Sequence, residues 1–137
     1  MKKRIKDKIK EIEKYLIELD EIKPKNLKDY IKDIKTKAAS ERYFEKIIEA
    51  IVDLAFLVIK ENGLETPEED IQAFNILEKE GIITPIINKK LKDAKGMRNI
   101  IAHQYGSLDD ELIFIAITQE IDNDISEFID MVKAKLK

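Results

Sequence analysis

The sequence predicts an all-α protein: an up-and-down bundle of four to five helices. Three observations lead there. Apolar residues recur at helical spacing along most of the 137 residues. The composition is 44% apolar and 39% charged, rich in Ile, Leu, Lys and Glu, as amphipathic helices are. Glycine and proline are scarce, four and three, and most of them sit where an apolar stretch begins or ends.

The elements follow in order. Ile5, Ile9, Ile12, Leu16 and Leu19 form one stripe on a first helix, which Pro24 ends or redirects. A second helical region runs from about Leu27 to Glu61. Its later part, YFEKIIEAIVDLAFLVIK, is apolar on nearly every side and predicts the central helix of the bundle. Asn62-Gly63 is a stop signal. Thr66-Pro67-Glu68-Glu69 predicts the next start, with Thr66 as N-cap and Pro67 at the first helical position, and Gly81 closes that helix. Thr84-Pro85 repeats the start signal for a helix running toward His103, and Gly106-Ser107 breaks the pattern. The last helix is expected over about Asp109 to Ala134, with Ile117, Ile121, Ile125, Phe128 and Val132 in a stripe.

Length and spacing point to one domain over residues 1–137, with Lys-rich ends expected to be frayed and solvated. No apolar run approaches the roughly 18 residues of a membrane span. MKKRIKDKIK lacks the apolar core of a signal peptide, so a cytoplasmic location is expected. The absence of cysteine excludes disulfides, zinc thiolates and a cysteine nucleophile. The net charge of −3 argues against a generally basic nucleic-acid binder, but the local distribution differs. Between Asn88 and Arg98, Lys89, Lys90, Lys92, Lys95 and Arg98 face a single acid, Asp93.

This basic segment leads into RNIIAHQY, residues 98–105, which holds the only histidine and one of three arginines. On a helix, Ile87, Leu91, Ala94 and Ile101 share one side, and Arg98 falls in the middle of it. A guanidinium there needs an acidic or phosphate partner, because burying it alone is very costly. An acid on a neighbouring helix satisfies that need as well as a ligand does. His103 lies about 140° around the helix from Arg98 and roughly 7.5 Å along it. The two side chains share a site only if the helix ends before His103 or if two chains each contribute. Asn99, four residues before His103, faces it and can orient the imidazole. Capping the helix C-terminus is the plainer role for a lone histidine at this place.

The stretch fits Arg-x4-His-x-Tyr and resembles the motif of HEPN-domain ribonucleases, in the form seen in HepT-like toxins of HepT/MntA toxin–antitoxin pairs. The resemblance extends from Ser40 to Leu136, about 70% of the chain, through SERYFEKIIEAIVDLA, ENGLETPEEDIQAFNILEKEGII and KDAKGMRNIIAHQYGSLD. The first 39 residues are less diagnostic. The resemblance implies a HEPN-like bundle acting as a homodimer, with the motif helices of two chains meeting at a cleft. It implies metal-independent RNA cleavage in which the 2′-hydroxyl attacks the adjacent phosphorus and no cofactor takes part. His103 then serves as general acid or base, and Arg98 neutralises the charge on the phosphorane. Asn99 positions His103 or the phosphate, and Lys92 and Lys95 track the RNA backbone. Tyr105 is implied as the tyrosine to which an MntA-type nucleotidyltransferase antitoxin adds AMP; the alternative is a tyrosine packed at a helix end.

A second constellation bears on the same site. Arg42, Glu45, Glu49 and Asp53 form a polar stripe through the mainly apolar central helix, and polar positions there need partners. Glu49 and Asp53 can anchor Arg98 from behind. Equally, the stripe can face solvent with Arg42 paired to Glu45 or Glu49. The function expected is therefore an endoribonuclease toxin neutralised by AMPylation. The alternatives are a non-catalytic helical subunit that docks a nucleotidyltransferase, and a helical dimer with no catalytic role.

Overall fold

The computed structural model describes residues 1–103 and 109–136, and every residue in a regular element is helical. The first helix, α1 (Lys3–Ile22), buries the expected stripe of Ile5, Ile9, Ile12, Leu16 and Leu19. It lies along the central helix, α3 (Ile34–Glu61). Helix α1 is regular from Lys3, where Lys3 bonds Asp7 one turn on, and the last helix continues to Lys135. The described parts of the Lys-rich ends are thus helical rather than frayed.

The second helical region is not continuous. A short α2 (Leu27–Lys32) stops at Asp33, and α3 begins directly after it. Asp33 is the cause: its carboxylate accepts the Thr36 backbone N–H at 3.3 Å and the Thr36 hydroxyl at 2.7 Å, an N-cap that turns the chain. The break lets Tyr30 on α2 fold back onto α3. Its buried hydroxyl donates to Glu41 at 2.5 Å, and Lys37 bridges Glu41 at 2.8 Å and Asp110 at 3.4 Å. Burial, followed by the bond to Glu41, pushes the Tyr30 phenol far above its ordinary pKa.

Helix α3 runs through the middle, as its all-round apolar pattern predicts. Phe44, Ile47, Ile48, Ile51, Leu54, Ala55 and Val58 are all buried. Gly63, at φ 63°, follows its C-cap Asn62. The next helix, α4 (Asp70–Lys79), starts later than Thr66-Pro67 suggests, with Glu69 as N-cap. Gln72 explains the shift: its side-chain oxygen accepts the Glu68 N–H at 2.7 Å, one turn beyond the expected start. Gly81, at φ 73°, ends α4 as expected.

Helix α5 (Pro85–His103) begins at the predicted place, with the Thr84 hydroxyl accepting the Ile87 N–H at 3.2 Å. Gly106-Ser107 lies outside the described residues. The final run comprises α6 (Asp110–Ile115), a π-helical segment over Ala116–Glu120 and α7 (Ile121–Lys135). Asp109 caps it by accepting the Leu112 N–H at 3.2 Å. Taking α2 with α3, and α6 through α7 as one run, recovers the five expected helices among the described residues. No described helix is long and apolar enough to cross a membrane.

Candidate active site

Helix α5 is seated before it presents the motif. Ile87, Leu91 and Ile101 are buried against the bundle. Asn88, also buried, donates from its amide to Asn75 at 3.0 Å and Glu78 at 2.8 Å, both on α4. These contacts fix the helix rotation, and Arg98 follows on the same inward side. Its side chain is 23% exposed.

The guanidinium finds the partner its position demands. Arg98 Nη2 donates to Glu49 Oε1 on α3 at 2.7 Å, and Nη1 donates to Asn99 Oδ1 at 3.3 Å. Nε is buried with no hydrogen-bond partner among the described residues. Both readings of the α3 stripe are realised together. Glu49 holds Arg98 and also lies 3.9 Å from Arg42, which reaches Glu45 at 3.8 Å. Asp53 does not reach Arg98. It turns to Lys8 on α1 at 3.6 Å, one turn beyond Glu49. The Arg98–Glu49 pair is partly open to water, so its contribution to stability is small, and its effect is to aim the guanidinium.

Lys95 bonds Asn99 Oδ1 at 3.1 Å and Asp70 at 3.2 Å. Asn99 Oδ1 is thus shared by two cations, Lys95 and Arg98. The sequence suggested that Asn99 orients His103 or a phosphate; the described bonds of its oxygen go to these cations instead. Asp70 was not among the expected site residues. It stands 25 positions before Lys95 in the chain, and only the packing of α4 on α5 brings them together. Lys92 lies further round α5, half-buried and without an ion pair among the described residues.

Ile48, Glu49, Val52, Asp53, Asp70, Lys95 and Arg98 line a groove of about 280 Å³ beside the motif. A roomier, largely apolar groove of about 620 Å³, lined by Phe56, Leu57, Leu64 and Pro67 among others, shares only Asp53 with it. No group of three or more potential metal-ligating side chains occurs among the described residues.

His103 is the last residue of α5 and is exposed. The helix therefore runs unbroken from Arg98 to His103, and the two side chains leave it about 140° apart. Of the two ways to unite them, ending the helix early is not the one taken. Tyr105 lies outside the described residues.

A family model described as "Ribonuclease HepT-like" matches residues 5–132. The chain belongs to the HepT-like ribonuclease family. As a member, it is an endoribonuclease. Its relatives include a tRNA nuclease HepT of Aphanizomenon flos-aquae, 26% identical over 114 residues that cover 83% of this chain and 78% of that protein. An mRNA nuclease HepT of Shewanella oneidensis is 28% identical over 91 residues, covering 66% of this chain and 68% of the relative. Among solved structures, a tri-AMPylated HEPN toxin of Shewanella oneidensis in complex with an MNT antitoxin superposes with a TM-score of 0.89. It is 23% identical, and the match covers 98% of this chain and 99% of that one. A toxin–antitoxin complex with AMP-PNP gives 0.85 at 22% identity, covering 95% and 97%. These likenesses establish the HEPN fold for this HepT-like chain.

Proposed function

We propose that this HepT-like protein is the toxin of a toxin–antitoxin pair, and that it cuts RNA without a metal at a site built by two copies of the chain. The observation that carries this reading is the unbroken helix from Arg98 to His103, which points the motif's two key side chains in different directions. Cleavage begins when the 2′-hydroxyl attacks the adjacent phosphorus and loses its proton. The 5′-oxygen of the next nucleotide leaves and takes one up. His103 handles these protons as base or acid. Arg98, already aimed by Glu49 and Asn99, meets the charge that builds on the phosphorane, and its unused Nε–H is a further donor. Asp53 and Asp70 add negative charge to the groove wall and restrain where phosphate can approach, while Lys92 and Lys95 supply the positive edge.

The exposed face of α5 is suited to a second copy. A Cβ built on Gly96 would meet nothing within 4 Å, so nothing inside the chain requires glycine there. Yet a glycine inside a helix costs about 1 kcal/mol relative to alanine. Ile100, 44% exposed, follows one turn later, and His103 lies on the same side. An antiparallel crossing of two α5 helices close to Ile100 would bring Arg98 of one level with the partner's His103. Sedimentation at micromolar concentration is expected to show a dimer, and a monomer there rejects the composite site.

The partner follows from the relatives. Similar folds occur in complexes of HEPN toxins with MNT antitoxins, one of them tri-AMPylated, and Tyr105 stands two residues past His103. In this protein Tyr105 is the AMP acceptor, and a cognate MntA-type nucleotidyltransferase is the antitoxin. The direct test of the chemistry is cleavage of RNA in EDTA. The purified, unmodified protein is expected to leave 2′,3′-cyclic phosphate ends. Cleavage that vanishes with the chelator and returns with magnesium overturns the mechanism.

A further inference from the structure

The surface next to Arg98 holds a second feature that the cleavage chemistry does not use. Lys46, on α3, places its ammonium 4.4 Å from the ring centre of Tyr15 and 4.8 Å from that of Tyr43. The two rings stand edge to face, 6.3 Å apart, with Tyr15 on α1 and Tyr43 on α3. All three side chains are partly exposed. Lys46 has no carboxylate in ion-pair range among the described residues, although the chain has more acids than bases. It is held only by aromatic faces, and at a partly exposed site such a hold is weak.

The position matters as much as the composition. Lys46 lies three residues before Glu49, about 4.5 Å along the helix and 60° around it. Glu49 is the residue that grips Arg98. Arg42, one turn before Lys46, shares Glu49 with Arg98. A row of cations thus runs from Arg98 through Arg42 to Lys46 and ends on two aromatic rings. Rings beside a cationic track are how proteins hold unpaired nucleic acid: phosphates follow the charges, and bases stack on the rings.

We propose that Tyr43, Lys46 and Tyr15 form a stacking platform for an unpaired nucleobase close to the cleaved phosphate. The inference rests on the ribonuclease reading above and narrows its substrate to single-stranded RNA. When RNA binds, the Lys46 ammonium leaves the rings for a backbone phosphate, and a base takes its place on Tyr43. Both phenols stay protonated and neutral at ordinary pH: the bond to Glu11 at 3.0 Å raises Tyr15, and partial burial raises Tyr43. No like-charge repulsion therefore opposes the RNA at the rings.

The test is fluorescence anisotropy with a short, unstructured RNA and a duplex of the same sequence, alongside steady-state cleavage. Tyr43→Leu, which keeps apolar bulk but removes the π-face, is expected to weaken single-strand binding about 5- to 100-fold. The loss should appear in KM rather than kcat and be absent for the duplex. Tyr43→Phe should bind like the parent, and Lys46→Ala should flatten the salt dependence. If the parent cuts RNA and Tyr43→Leu binds it equally well, the platform is rejected while the ribonuclease reading stands. Equal losses for Tyr43→Phe and Tyr43→Leu reject stacking. Unchanged RNA binding with weakened antitoxin docking makes the patch a protein contact and overturns the proposal. A parent that neither binds nor cuts RNA removes the ribonuclease reading and the platform with it.

Discussion

His103→Ala lowers the rate of RNA cleavage by about 10²- to 10⁴-fold, the usual worth of a positioned acid or base. Arg98→Ala lowers it by about 10²- to 10³-fold, as removal of a preorganised donor to a developing oxyanion does. Neither change should harm the fold. His103 is exposed at a helix end, and Arg98 contributes a partly solvated ion pair worth at most about 1 kcal/mol. Circular dichroism and thermal melting therefore separate chemistry from unfolding. Glu49→Gln should cost an intermediate amount, about tenfold, because it weakens one charge-assisted bond without removing the guanidinium. Mixing the two inactive variants gives the sharper result. If each site takes Arg98 from one chain and His103 from the other, a heterodimer of Arg98→Ala and His103→Ala subunits has one dead site and one intact site. Random reassortment then restores about one quarter of the parent activity. A mixture that stays inactive after verified subunit exchange places both groups in the same chain and overturns the composite site.

Co-expression with a cognate nucleotidyltransferase and ATP abolishes cleavage, and Tyr105→Phe escapes that control. The phenol oxygen of Tyr105 attacks the α-phosphorus of ATP, the phenolic proton is lost and pyrophosphate leaves. Each transfer adds a phosphodiester charge and a nucleoside two residues from His103. Repulsion and occupancy both then oppose RNA. Intact-mass spectra should show whole AMP increments, with cleavage falling as they accumulate. The Tyr105→Phe protein should keep its fold, gain no mass and remain toxic beside its partner. AMP mapped to another residue, with Tyr105 untouched, rejects this control. Full inhibition by the partner without ATP indicates occlusion of the cleft instead.

How much of this was legible in the sequence depends on the range of the interactions involved. The α1 stripe and the all-apolar α3 are local periodicities, and both appear as read. The break at Asp33 also had a local signal, Asp33 with Thr36 three residues later, but it was masked by an apolar pattern that continues on both sides. The start of α4 was misplaced because Thr66-Pro67 is a common signal, whereas the bond of Gln72 back to Glu68 depends on one rotamer. At the site, the place of Arg98 on an apolar stripe predicted an acidic partner, and Glu49 was named as a candidate. Asp53 was named by the same spacing and missed, because α1 offers it Lys8. The Lys95–Asp70 pair and the Tyr15–Lys46–Tyr43 cluster join separate helices, and no spacing within one helix announces them.

The π segment at Ala116–Glu120 has a consequence for how this chain tolerates length changes. Ile113, Ile117, Ile121 and Ile125 follow one another at intervals of four, and in a regular α-helix each interval drifts about 40° away from the core. All four are nevertheless buried, because the wider turn absorbs the drift. The Thr118 hydroxyl helps to keep it open by donating to the Phe114 carbonyl at 2.7 Å. The segment behaves as a one-residue insertion that the helix has accommodated without losing its hydrophobic face. Deleting one residue there would restore a regular helix and rotate everything beyond it by about 100°. Ile121, Ile125 and Phe128 would then turn out of the core, and neighbouring acids such as Asp122 and Asp124 would turn toward it. Substitutions on the outer face of this helix are therefore far easier to accept than a single-codon deletion.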